Sequence, residues 1–229
     1  MKQYRIADEV VEFTAKNKET ELRFEAFQTT SEESEAILSI EDNRFKAFHS
    51  QHRNLSLFQC ELILSMRDFY NYLVSKGKLF MHAAVVVKND CAYIIIAPAS
   101  GGKSTLAKQM VENQSESAFV FADDRIVIGN LEKTPVVWAT PWSKIINGNP
   151  SKYYVVKGLC IVQKSDICSI GRLSKEDIMA GILNEYPEEC RIDVERILHK
   201  IILEKCNLLR VQSNIFDLSI EKLCEMMNL

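Results

Sequence analysis

The sequence predicts an α/β fold: a core built on a mixed β-sheet, a β-rich N-terminal lobe and a helical C-terminal lobe. Three observations support this. An Ile-rich run enters a glycine-bearing loop and leaves it as an amphipathic stretch, over "YIIIAPASGGKSTLAKQM" from Tyr93 to Met110. Short alternating or β-branched runs fill the first fifty-odd residues. From Ser174 onward apolar residues recur at helical spacing. The expected units are residues 1–60 for the β-rich lobe, 61–172 for the core and 173–229 for the helical lobe.

Taken in order, "VVEFTA", "ELRFEAF", "AILSIED" and "RFKAFHS" read as strands separated by Lys, Asn, Ser and Glu clusters. "LILSMRDFYNYLVSKGK" has apolar residues three and four apart and closes on Gly77, so it reads as a helix. "LFMHAAVVV" and "CAYIIIA" are strands, and Asn89-Asp90 between them suits a tight hairpin turn. "KSTLAKQMVEN" is a helix, and "AFVFADD" and "RIVIGN" are two strand segments. "VVWATPWSKIINGNPSKYYVVKGLCIVQKS" reads as strand, a Pro/Gly/Asn-bearing loop, then strand. "SKEDIMAGILNEY" opens on a Ser cap with an acidic first turn. "RIDVERILHKIILEKC" and "NIFDLSIEKLCEMMNL" complete a helical C-terminus, expected as scaffold, lid or contact of a homo-oligomer.

Composition narrows the function classes. Apolar residues make up 47% and charged residues 26% of the 229, with a net charge of -3. That balance gives no electrostatic footprint for nucleic acid or an anionic membrane. Seven cysteines, an odd number with no Cys-x-x-Cys pair, argue against a disulfide framework and a zinc ribbon. They suit a reducing compartment, and the acidic residues in "MKQYRIADEVVEF" do not suit a signal peptide. A cytoplasmic protein is expected.

The loop has the outline of the Walker motif G-x-x-x-x-G-K-[ST]. Its eight positions run from Ala97, where the motif has glycine, to Ser104. Gly101 and Gly102 allow a tight turn that aims successive N–H groups at a phosphate. Lys103 supplies a compact charge for β- and γ-phosphates, Ser104 a hydroxyl for Mg2+, and Thr105 a reach toward an α-phosphate oxygen. The helix from Lys103 points its positive end at the anion. Ala97 is tolerable if it keeps negative φ. A chance Gly-Gly-Lys-Ser-Thr in a surface loop would not explain the strand before it and the helix after it.

After that helix, "FVFADDRIVIG" delivers Asp123 and Asp124 at the expected end of an apolar strand, with Arg125 next. Two carboxylates invite two jobs, one on a metal and one as a base toward a hydroxyl. Arg125 is suited to neutralise phosphate or to pair with a carboxylate. A solvated turn is the plain alternative for Asp-Asp. Taken singly, His49, His52, His82 and His199 read as structural.

"FMHAAVVVKNDCAYIIIAPASGGKSTLAKQM" followed by "FADDRIVI" closely resembles the catalytic domain of HPr kinase/phosphorylase, whose core is similar to phosphoenolpyruvate carboxykinase. The match is tight over about residues 80 to 130. Thr140-Pro141-Trp142, the "YYVVKGLCIVQKS" strand and the opening "YRIADEVVEF" extend it toward a subgroup linked to ribosomal peptide modification, including lasso-peptide kinases. The resemblance implies nucleotide contacts from Ser100 to Thr105, with ATP and Mg2+ as the bound pair. It implies a base from Asp123 and Asp124, with His82 nearby to orient it. The expected assignment is Asp123 as base and Asp124 with Ser104 on the metal, an order that sequence leaves open.

The expected activity is therefore ATP-dependent transfer of a phosphoryl group to a hydroxyl, with a serine of a peptide or small protein as acceptor. Lys103, Arg125 and the metal would supply most of the rate. Two other readings remain open at this point. A nucleotide-binding sensor or scaffold needs the loop but no base, and a small-molecule kinase uses the same core. Thr140-Pro141-Trp142 and Asn147-Gly148-Asn149-Pro150 are candidates for the nucleotide-base pocket or the acceptor site, with core packing as the other reading of Trp142.

Overall fold

The computed structural model describes residues 1–30, 33–114, 118–186, 188–203, 205–212 and 219–227. Two mixed β-sheets and seven α-helices make up these parts. Among the described residues no helix is long and apolar enough to cross a membrane.

The N-terminal sheet has the order β3-β1-β2-β4, from β1 (Lys2–Ile6), β2 (Glu9–Phe13), β3 (Gln28–Thr29) and β4 (Ala36–Leu38). Ala7 and Asp8 join β1 to β2 with φ of 52° and 67°, the left-handed pair of a tight hairpin. Two expected strands are helices instead. "ELRFEAF" falls mostly in α1 (Lys18–Glu25), and "RFKAFHS" lies in α2 (Asp42–Gln51). The deciding contacts are distant in sequence. Glu61 on α3 (Leu57–Ser75) accepts from the backbone N–H groups of Lys16 and Asn17 and from the Thr20 hydroxyl. This buried carboxylate satisfies donors at the entry of α1 that helix geometry leaves open. Thr20 and Phe24, four apart, are the two buried side chains of α1. On α2, Arg44 pairs with Asp68 of α3 at 2.7 Å.

The core sheet runs β11 (Ser169–Arg172), β12 (Asn207–Gln212), β10 (Tyr153–Gln163), β6 (Cys91–Ile96), β5 (Leu79–Lys88), β7 (Ala118–Leu131) and β8 (Thr134–Ala139), with a two-residue β9 (Ile145–Ile146) on β7. Its centre is the hairpin of β5 (Leu79–Lys88) and β6 (Cys91–Ile96), turned by Asn89 and Asp90 at φ of 50° and 59°. Both strands read as continuous apolar runs because both faces are covered. Ala83, Val85, Ile94 and Ile96 join one core, while Ala84, Val86, Tyr93 and Ile95 join the other. The first core includes α3 and the C-terminal helices α5 (Lys175–Leu183) and α6 (Arg191–Leu198). The second includes α4 (Lys103–Asn113) and α7 (Ile220–Met227).

The two strand segments expected after α4 are one 14-residue strand, β7 (Ala118–Leu131), hairpinned to β8 (Thr134–Ala139). The aspartates therefore lie inside a strand, not at its end. Next comes β10 (Tyr153–Gln163), which runs parallel to β6 and pairs back to β8 through Tyr153, Tyr154 and Val155. The sheet thus curls until its far edge meets its middle. The C-terminal part is not purely helical. Ser169–Arg172 (β11) and Asn207–Gln212 (β12) extend the core sheet, β12 parallel to β10 with Leu209 and Val211 buried. The residues "NIFDLS" at the start of the last expected helix lie partly outside the described residues.

Glu61→Ala should leave several buried donors without an acceptor and destabilise the fold by on the order of 3 kcal/mol. Urea denaturation should show a lower midpoint with an unchanged slope.

Candidate active site

The loop after β6 turns in a way that its residue types permit. Ser100 and Gly102 have left-handed φ of 56° and 91°, flanking Gly101, and the Gly101 N–H donates to the Pro98 carbonyl at 2.8 Å. Alternation of this kind folds successive N–H groups into a concave anion nest. Gly102 caps α4, whose first N–H groups have no intrahelical acceptor. Gly101 is required by space: an added Cβ would lie 2.7 Å from the Pro98 oxygen and 2.9 Å from the Ala97 Cβ. Ala97 has no positive φ, and its methyl is buried in the second core. The methyl at the first motif position is accommodated because Gly101 has none.

Pairing of β5 with β7 brings the other groups to this loop. His82 sits opposite Arg125, Ala83 opposite Asp124 and Ala84 opposite Asp123. A bulge shifts the register between Val85 and Val86, and Asp124 itself has φ of 88°. That left-handed residue interrupts the pleat. As a result Asp124 and Arg125, though adjacent, line one small cavity beside Trp142. Asp124 also borders the cleft of about 420 Å³ formed by the loop, His82, Asp123 and Lys144.

The two aspartates have different partners. The buried Asp123 carboxylate accepts from the Ser104 hydroxyl at 2.7 Å. Asp124 faces cationic and imidazole groups: Lys144 Nζ at 3.2 Å, His82 Nε2 at 3.4 Å and Arg125 Nε at 3.5 Å. Ser104 thus stands with Asp123, not with the Asp124 expected beside it on a metal. A hydroxyl and a carboxylate in contact at the foot of this turn are hard oxygen donors of the kind that would hold Mg2+. No cage of three or more His, Cys, Asp or Glu side chains occurs among the described residues, so the pair fits a metal that arrives with a phosphate. His49, His52 and His199 contribute nothing to the cleft.

Lys103 is buried, and its ammonium donates to the Ala97 carbonyl at 3.1 Å. Burial lowers its pKa, and burial together with the cations of Lys103 and Arg125 lowers that of His82. His82 is therefore held toward its neutral form. Thr105 lines the cleft as expected.

The Thr-Pro-Trp segment has a role that sequence did not reveal. The Thr140 hydroxyl donates to the Arg125 carbonyl at 2.8 Å, and the Ser143 hydroxyl donates to the same oxygen. The Lys144 N–H donates to the Asp123 carbonyl at 2.8 Å. This turn clamps β7 at Arg125 and sets Lys144 beside Asp124. Trp142 is in the core, stacked on Phe69 with ring centroids 5.0 Å apart, and its Nε1 donates to Ser65 at 3.1 Å. Asn147 instead binds the Val120 and Phe121 carbonyls, and its loop does not line the cleft.

Glu185 was also missed. It follows α5 and lies near His82, Arg125 and Lys103. The residue lies open at the rim, yet burial of its carboxyl end raises its pKa. Its neighbour Tyr186 anchors the turn by donating to the Phe80 carbonyl at 2.9 Å. Neither Lys144 nor Glu185 belongs to a motif, and only the folded chain brings them in.

No protein-family model and no curated protein matches this chain. Among solved structures it is similar to the Hpr(Ser) kinase/phosphatase from Coxiella burnetii, with 10% identity and a TM-score of 0.33. That match covers 64% of this chain and 91% of the other. At this distance the likeness decides nothing about the chemistry, which rests on the residues of the cleft.

Two outcomes are expected. Ala97→Gly should leave magnesium–ADP affinity within a few-fold, whereas Gly101→Ala should cost tenfold or more, about 1.4 kcal/mol, by calorimetry. Adding magnesium–ADP should also raise the His82 pKa followed by NMR, because phosphate charge offsets the cations of Lys103 and Arg125.

Proposed function

We propose that this protein is an ATP-dependent kinase that transfers a phosphoryl group to a hydroxyl, with Ser104 and Asp123 on the metal side and Asp124 as the proton acceptor. The observation that supports it is the division of the aspartates, one on the Ser104 hydroxyl and the other among His82, Arg125 and Lys144. This exchanges the roles expected from sequence. The resemblance of residues 80 to 130 to an HPr kinase catalytic domain agrees with the activity. It also supplies the finer expectation of a serine acceptor on a peptide or small protein.

In this reading the nest of Ser100, Gly101 and Gly102 and the N-terminus of α4 hold the phosphates. Lys103 exchanges the Ala97 carbonyl for phosphate oxygens, which restores the charge that burial disfavours. Mg2+, when bound, neutralises phosphate charge. The acceptor oxygen forms a bond to the γ-phosphorus, the bond from that phosphorus to the β–γ bridging oxygen breaks, and ADP leaves. Asp124 receives the hydroxyl proton, and neutral His82 fixes its carboxylate. Arg125 and Lys144 stand beside Asp124 in the free protein and are placed to engage phosphate oxygens. Positioning and charge neutralisation carry most of the rate.

Lys103→Ala should abolish transfer and clearly weaken nucleotide binding. Asp124→Asn should leave magnesium–ATP affinity nearly intact and cut single-turnover transfer by roughly 10²-fold or more. Asp123→Asn should instead weaken metal-dependent binding, and His82→Ala should slow transfer less than loss of the base. Calorimetry and quench-flow on the same acceptor read both quantities. Normal transfer in both asparagine variants would remove the aspartates from the chemistry, and unaltered turnover in Lys103→Ala would sink the loop's role.

A further inference from the structure

Three cavities lie in series on this molecule. The phosphate cleft shares Asp124 with the small cavity beside Trp142, which in turn shares Met66 and Arg125 with a groove of about 550 Å³. That volume lies in the range of sites that enclose a ligand. The groove runs between α3 and the turn after α5, with Phe80 and Tyr186 supplying apolar surface. Its charged lining is Arg44, Arg67 and Arg125 against Glu185 alone. Arg44 is braced by Asp68, and the Arg67 guanidinium lies 5.2 Å over the Phe48 ring. Both guanidinium groups are thus held in place before any ligand arrives, which lowers the ordering cost of binding an anion. Asp68 offsets Arg44 and Asp124 stands beside Arg125, so Arg67 is the lining cation best placed to attract an anionic ligand.

We infer that this groove holds the acceptor and selects one whose hydroxyl is flanked by anionic groups, with the hydroxyl at Asp124 and the flanking anions on Arg67 and Arg44. The inference rests on the phosphoryl-transfer reading. Guanidinium forks suit carboxylates in particular, because two parallel N–H donors meet two oxygens. An acidic peptide segment and a small hydroxy acid share that chemistry.

The test uses the full chain in calorimetry with magnesium and a non-hydrolysable ATP analogue. The probes are acetyl-Asp-Ser-Asp-amide, acetyl-Asn-Ser-Asn-amide and glycerate. The acidic peptide should bind at least tenfold tighter than its amide counterpart. Arg67→Gln should remove most of that preference, Arg67→Lys should keep part of it, and added salt should reduce it. Tight, Arg67-dependent binding of glycerate alone would uphold an anion-flanked hydroxyl and identify a small acid as its source. Equal binding of the peptides with no glycerate binding, no binding of any probe, or a preference that survives Arg67→Gln would overturn the inference. Failure of the ATP analogue to bind in the same cell would instead overturn phosphoryl transfer, so the two failures are distinguishable.

Discussion

The antiparallel pairing of β5 with β7 is the constraint on which the site depends. It places His82 opposite Arg125 and Ala84 opposite Asp123, while β6 on the other side of β5 ends in the glycine-bearing loop. A one-residue slip would turn each side chain to the other face. Burial of β5 on both faces prevents that slip, because the small and branched residues of its two sides fill two separate cores. The bulge and the left-handed Asp124 then break the alternation locally, where two neighbouring residues have to serve one site.

A second layer holds this arrangement rigid. Thr140 and Ser143 bind the Arg125 carbonyl, and Arg23 of α1 reaches the Ser143 carbonyl at 2.9 Å. Trp142 packs edge-on against Phe24 of the same helix and stacks on Phe69 of α3. The N-terminal sheet and helices are thereby tied to the chemistry through one turn. On the opposite side Tyr186 fastens the C-terminal segment to β5 and brings Glu185 near His82. Residues far apart along the chain thus brace one strip of sheet about the two aspartates, as a site that works by positioning requires.

The loop, its helix and the β5–β6 hairpin were legible because their information is local. Gly101 and Gly102 announce a turn, Asn89-Asp90 a hairpin, and the Ile run a strand with both faces buried. Helices α1 and α2 were misread as strands because short apolar-polar runs satisfy either period, and distant partners such as Glu61 settled the matter. Strand β12 was hidden for a related reason. Six residues after a longer helix carry little signal until β10 offers an edge to join.

The site divides in the same way. Residue chemistry and spacing named Lys103, Ser104, Asp123, Asp124 and Arg125, because a glycine-bearing turn and a carboxylate pair are made by neighbours in sequence, whereas His82 was named only through the family resemblance. The partner of each aspartate depended on a strand register, a bulge and a positive φ, and these arise only when the sheet closes. Lys144, which borders the cleft, and Glu185, which lines the neighbouring groove, stand beside no motif and are placed by turns anchored elsewhere. Local patterns specify which groups can do chemistry, whereas their mutual distances follow from long-range pairing, whose contacts no short window of sequence contains.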